Sequence, residues 1–435
     1  MTRRWAGSPG RPWPDPVSSL LAPLRISSAF RRLFLYSAVS ALGTQAAYVA
    51  LMFELQRLTH SPLAVGALGA VELVPILIFG LYGGVIADHL DRRVILLVTE
   101  VLLALSMAAL AWNAHAAHPQ VLVIYVIAAV LAAVSGTQRP SYTALFQSAV
   151  SHDQQREAAS LEMVQSTGAA LIGPVLGGLG AVVFGAWVVF ALTASLVAIT
   201  FPLLYSLPST PRPEHAGRVE LASLIAGGRY ALSRRDILGT YVIDTIAMVF
   251  AFPVSLLPFL AADFHQSYAL GALYCAMSVG AVIAALAQGW ARRVHHYGRA
   301  IVAAATVWGL GIFAAGLSPS LWLAWFCLAV AGGADAVSGI FRNTMWNESI
   351  PPDVRGRMAG IEVLSYSLGP TVGQVRAGAI AAATTVRTSL VLGGAVCAGG
   401  CAVLPLALHA TWNFDVRSDV HVADVAALRA NDHLE

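Results

Sequence analysis

Glu54, Glu72, Asp244 and Asp335 each fall inside a long apolar run of this 435-residue chain. An ionisable side chain facing lipid costs roughly 2.5–3.5 kcal/mol on insertion scales, so each of these acids is a functional candidate by default. The chemistry open to a carboxyl group there is proton coupling, taking a proton from one side of a membrane and releasing it on the other. Glu72 lies nearest the middle of its run and is the first choice for that task. Asp244 stands about a third of the way into its run, within reach of the interface. Asp335 has Arg342 available as a structural partner, and Glu54 lies three residues before Arg57 on one helix face, where an ion pair competes with a transport role. Arg139, in Gly136-Thr-Gln-Arg-Pro140, and Arg376 are arginines in similar settings. Each is a substrate or gating candidate that would attract an anion, or else a side chain snorkelling toward lipid phosphates.

The elements that must position these groups are membrane-spanning helices. Apolar residues make up 57% of the chain and charged ones 11%, a surface that water does not support. Twelve spans are expected near 31–57, 61–87, 94–113, 120–146, 158–180, 183–207, 237–261, 267–290, 300–317, 320–341, 359–383 and 387–408. All 26 basic residues are arginine, and they alternate: one set of loops holds Arg92, Arg93, Arg156, Arg212 to Arg235, Arg292 to Arg299 and Arg342 to Arg357, while the opposite set keeps Arg57 and Arg387. Because positive loops stay in the cytosol, this predicts cytosolic N- and C-termini for a multi-pass protein of the bacterial cytoplasmic (inner) membrane.

The segmentation predicts a cytosolic tail over 1–30, a six-helix bundle over 31–207, a linker with an amphipathic segment over 208–236, a second six-helix bundle over 237–408 and a cytosolic tail over 409–435. The N-terminal stretch, rich in Arg, Pro and Ser, has no apolar core of the kind a secretory signal needs. Leu171-Ile-Gly-Pro-Val-Leu-Gly-Gly178 in span five is echoed by Ser367-Leu-Gly-Pro-Thr-Val-Gly373 in span eleven, and repeated halves suit alternating access round a site near the midplane.

Several functions lack their parts. There is no HExxH metal motif, no Gly-x-Ser-x-Gly elbow and no P-loop, so no enzyme and no cofactor are expected. Cys275, Cys327, Cys397 and Cys401 lie in apolar runs without histidine, which reads as packing rather than a metal site. No basic patch points to nucleic acid. The expected partners are a small-molecule substrate, protons and the lipid bilayer, for a chain acting as a monomer.

Gly84-Val-Ile-Ala-Asp88-His-Leu-Asp91-Arg92-Arg93, between spans two and three, resembles the loop signature of the major facilitator superfamily. It departs from it at His89, where a basic residue is usual, and at Asp91, where glycine is usual. An acid before the arginines is similar to the branch of siderophore (enterobactin) exporters and macrolide-efflux proteins. The resemblance implies an all-α membrane protein with twelve transmembrane helices in two pseudo-symmetric bundles of six. It also implies a conformational latch, in which Gly84, Asp88, Asp91, Arg92 and Arg93 bias the access equilibrium, with Asp88 acting against span eleven. Gly173, Pro174, Gly177 and Gly178 resemble the antiporter helix motif of the superfamily, with Ala169 and Ser160 where glycines are usual upstream. The activity implied is secondary active transport: proton-coupled export of a small amphipathic molecule, siderophore or drug. An uptake permease and a non-transporting receptor are the alternatives.

Overall fold

With no water in the hydrocarbon core, each backbone N–H and C=O must find its partner within the chain, and a run of apolar residues meets this by coiling into a helix. The computed structural model describes residues 21–208 and 228–432. The side chains of 84–89 and of several residues between 352 and 364 fall outside that description, and most of the linker expected over 208–236 does too.

The helices run α1 Ser28–Thr59, α2 Pro62–His89, α3 Arg92–His115, α4 Val121–Ser148, α5 Gln155–Phe184, α6 Ala186–Tyr205, α7 Arg235–Ala251, α8 Ala269–Leu286, α9 Tyr297–Leu317, α10 Leu321–Ser349, α11 Pro352–Ala383 and α12 Val386–Val403. Eleven spans among the described residues are long and apolar enough to cross a membrane. The exception is α11, 32 residues long, whose apolar stretch is diluted by glycines, Gln374 and Arg376. The seventh span is not the single helix expected over 237–261. Phe252 is extended and Pro253 has no N–H to continue the ladder, so the chain restarts as a short turn at Val254–Leu256 and a helix at Leu257–Asp263.

Polar contacts tie the described chain ends to one face of the molecule, here called the near end. Arg32 donates to the Ser206 carbonyl at 2.8 Å and Ser27 to the Ala149 carbonyl at 2.7 Å. At the other terminus, Thr411 donates to the Arg235 carbonyl at 3.1 Å, and the Val416 amide to the His295 carbonyl at 3.2 Å. Beyond α12 the chain folds into α13 His409–Trp412 and α14 Val420–Asp432, burying Phe414 and Val425 beneath the second bundle.

The repeat read in the sequence is a packing repeat. Gly173 and Gly177 let α5 lie directly on Gln45 and Ala46 of α1, and Gly369 and Gly373 let α11 lie on Met248 of α7 in the same way. Each of these helices also closes a seam between the halves. Gly178 of α5 meets Gly271 of α8, and Gly378 of α11 meets Gly66 of α2; a side chain at either place would collide with backbone. Both seams lie toward the end opposite the chain termini, the far end.

Candidate functional site

α1 to α4 enclose a cavity of about 530 Å³ that runs from mid-membrane toward the near end. Its roof is Tyr48 and Glu72, and there Gln374 of α11 reaches across from the other bundle to donate to the Tyr48 hydroxyl at 3.5 Å. Glu72 has no ion-pair partner among the described residues. Toward the mouth stand Gln138, Arg139 and Tyr142, brought there by the last turns of α4 before the near end. Pro140 sits within that helix, where its ring removes one backbone hydrogen bond. Glu162 of α5, half-buried, is the carboxylate within electrostatic reach of Arg139.

Behind the wall residues Tyr36 and Gln138 stands a carboxylate that sequence reasoning passed over. Glu100 of α3 is 1% exposed and accepts from the Tyr36 hydroxyl at 2.9 Å and from Gln138 at 3.1 Å, while Gln138 also donates to the Tyr36 hydroxyl at 2.7 Å. Its second oxygen has no hydrogen-bond partner among the described residues. Glu100 stands about two turns into a span, with arginines just outside, so by position alone it resembles an interfacial acid. Tyr36 and Gln138, each polar and about as deep in α1 and α4, were the available signal.

The remaining acids are spoken for. Glu54 is 2% exposed and held by both ends of the Arg57 guanidinium, at 2.9 and 2.7 Å. Asp244 of α7 forms a buried ion pair with Arg342 of α10 and accepts from Ser365 of α11 at 3.3 Å. Asp335, two turns before Arg342 on α10, lies within electrostatic reach of both members of that pair. Arg342 also stacks over the Tyr366 ring at 5.7 Å. Asp244, Asp335, Arg342, Ser365 and Tyr366 thus form one cluster in the second bundle rather than separate sites.

Arg376 is not brought to the cavity. It lies half-buried between α7, α11 and α12, over the Phe250 ring at 5.9 Å and against Gly393, with its Nε unpartnered among the described residues. Of the aromatic residues the spans offer, Tyr48 lines the cavity, whereas Trp346 stacks on Tyr241 at 4.9 Å and donates to Thr240 at 3.0 Å.

At the loop after α2 the departure at Asp91 has a structural reason. Its carboxylate accepts from the Arg93 amide at 2.9 Å and caps the first turn of α3, a task glycine has no side chain to perform. Arg93 donates to the Tyr205 carbonyl and lies over the Tyr205 ring at 5.1 Å, joining α3 to the end of α6. The side chains of Gly84 and Asp88 lie outside the described residues, and with them the expected contact of Asp88 with α11.

Two helical halves joined at glycine seams, with a water-accessible cavity inside the first of them, make this a non-enzymatic membrane transporter with the major facilitator fold. The chain belongs to the transmembrane secretion effector family, whose description matches residues 18–431. It is similar to the enterobactin exporter EntS of Citrobacter koseri, 27% identical over 375 residues that span 86% of this chain and 90% of that protein. The EntS of Shigella boydii is likewise 27% identical, over 84% of this chain and 88% of its own length. Among solved structures, the nucleoside transporter NupG superposes with a TM-score of 0.67 at 14% identity, covering 89% of this chain and 100% of that one. A bacterial homologue of the lysosomal transporter Spinster, inward-facing and unoccupied, gives 0.70 at 13% identity, over 88% and 97%. These two likenesses speak to the fold alone.

Proposed function

We propose that this transporter is a proton-coupled exporter of a small amphipathic molecule with phenolic or acidic groups, a siderophore of the enterobactin kind. The observation that carries the reading is the cavity itself: Glu72, without a cation among the described residues, and Arg139, at the mouth, face one space lined by Tyr36, Tyr48 and Tyr142. Tyrosine rings accept an aromatic cargo by stacking, and a guanidinium attracts its negative charge. Glu72 is the proposed proton carrier, with Glu100 as a second exchangeable site reached through Tyr36 and Gln138. The family's secretory description and the exporters at 27% identity support outward direction over uptake.

In this reading the near end is cytosolic, in keeping with its arginine-bearing loops, and the cavity is open to the cytosol. Asp88 serves as the latch to α11 on that side, Arg92 and Arg93 anchor the same turn, and the Gly173-Pro174 helix is the pivot of an antiporter. The protein works as a monomer in the bacterial inner membrane, its two bundles rocking about the glycine seams.

Two measurements test this. Deleting the gene is expected to lower siderophore secretion under iron limitation without altering susceptibility to a drug panel. Raised drug susceptibility with normal secretion would move the cargo to drugs, and no change in either would overturn export. Glu72→Gln is expected to abolish proton-driven accumulation in inverted vesicles while the protein stays folded; accumulation with unaltered pH dependence would remove Glu72 from the coupling role.

A further inference from the structure

On the outer flank of the second bundle, away from the cavity, α8, α9 and α10 frame an open groove of about 1020 Å³. Its floor is cut by small residues, Ala284, Ala300, Ala303 and Gly333, between the taller walls of Ile283, Trp325 and Phe326. Gly280 seats α8 against the Ala329 carbonyl and Gly333, which sets the floor low. The groove follows α10 from Trp325 to Val337, roughly 18 Å at about 1.5 Å per residue. From its near-end rim the groove runs past the middle of the expected span 320–341, long enough to take a lipid's acyl chains lengthwise.

The near-end rim of this apolar groove is basic. Arg293, Arg299, Arg417, His295 and His296 all line it. Arg293 is exposed and has no partner among the described residues. Arg299 lies over the Trp412 ring at 5.6 Å and has no carboxylate partner among the described residues. Arg417 is held by Asp415 at 2.9 Å, and Asp415, the carboxylate of the rim, also stands 3.8 Å from His296 Nδ1. Three guanidinium groups against one carboxylate leave the rim positive where the groove meets the headgroup region.

We infer that this groove is a binding site for one anionic phospholipid, with its phosphate on Arg293 and Arg299 and its acyl chains laid along Ala303 and the Trp325–Phe326 wall. The occupant follows from charge complementarity joined to depth. A basic pocket between membrane helices selects an anionic headgroup, whereas an apolar groove without the rim would accept any lipid. The site is separate from the cavity of α1 to α4, so lipid there stabilises the second bundle without competing for cargo.

The test is native mass spectrometry of the full chain, delipidated in detergent and titrated with phosphatidylglycerol or phosphatidylethanolamine. One phosphatidylglycerol is expected to remain bound under activation that strips phosphatidylethanolamine. Arg293→Gln and Arg299→Gln together are expected to weaken its binding by roughly 5-fold per arginine, and Ala303→Trp to exclude the lipid by filling the floor. Arg292→Gln, an exposed arginine off the groove, serves as the control and is expected to retain it, and gel filtration checks that each variant is folded. Equal retention of the two lipids, or retention unaltered in folded Ala303→Trp, overturns the assignment.

Discussion

Asp244 and Arg342 are each other's means of being buried, both about 5% exposed. Removing one partner of such a pair leaves an uncompensated charge, which typically costs about 3–5 kcal/mol, whereas replacing both is often nearly neutral. Arg342→Gln is therefore expected to lower the unfolding midpoint in detergent sharply, and Asp244→Asn and Asp335→Asn combined with Arg342→Gln to restore most of it. A single variant as stable as the parent would place the pair in contact with water. Glu54, near the outer end of its span, is held by the half-exposed Arg57, which separates it from Glu72: both acids lie within predicted spans, but one is neutralised by a neighbour on its own helix. The spacing of Glu54 and Arg57 was legible from the chain. The pairing of Asp244 with Arg342 joins residues on α7 and α10, and no local pattern announces it.

At the scale of the element, the turn between α2 and α3 holds the Asp91 cap and, in the proposed function, the Asp88 latch. Asp91 is a helix cap, worth about 1 kcal/mol when replaced by alanine, so Asp91→Ala is expected to lower stability modestly and leave turnover intact. Asp88→Asn is expected to do the reverse, slowing transport with little effect on the unfolding midpoint, because a latch alters populations rather than contacts within one state. Interchanged outcomes in a vesicle assay and a melting curve would exchange the two roles. The terminal segment has its own acid. Hydrogen bonds from the Arg417 side chain, and then from its backbone, hold the Asp415 carboxyl down at about 2. Since this value is depressed from an ordinary carboxylate near 4, the clasp contributes fully above about pH 4 and fades as pH falls toward 2. Hydrogen exchange at 414–425, corrected for intrinsic rates, should show steady protection from pH 5 to 8 and loss only in acid.

The whole molecule is captured with its far-end seams shut. Gly66 against Gly378 and Gly178 against Gly271 hold the halves together there, and the cavity opens at the other end. A large side chain in a closed seam costs about 1–3 kcal/mol, charged only to the state in which the seam is closed. Gly378→Leu is thus expected to shift the population toward the far-end-open state by about tenfold or more, read as longer spin-label distances across the far end and shorter ones across the near end. Unchanged distances would mean that the seam yields by a local shift rather than by rocking.

What the chain determined unaided is set by solvent. Hydropathy must follow the thickness of a bilayer and arginines must favour one side of it, so the helices, their alternation and the glycine repeat were all written locally. Polar partnerships across the bundles were not. Glu100 with Tyr36 and Gln138, Asp244 with Arg342, and the withdrawal of Arg376 from the cavity depend on which faces of distant helices meet. The break at Pro253 and the basic groove between α8, α9 and α10 likewise emerged only once those helices were packed. The acids inside the membrane were visible one by one in the sequence; the tertiary structure decided which are neutralised by a neighbour and which, like Glu72, face open space, because neutralisation requires a partner within about 4 Å and sequence distance carries no such measure.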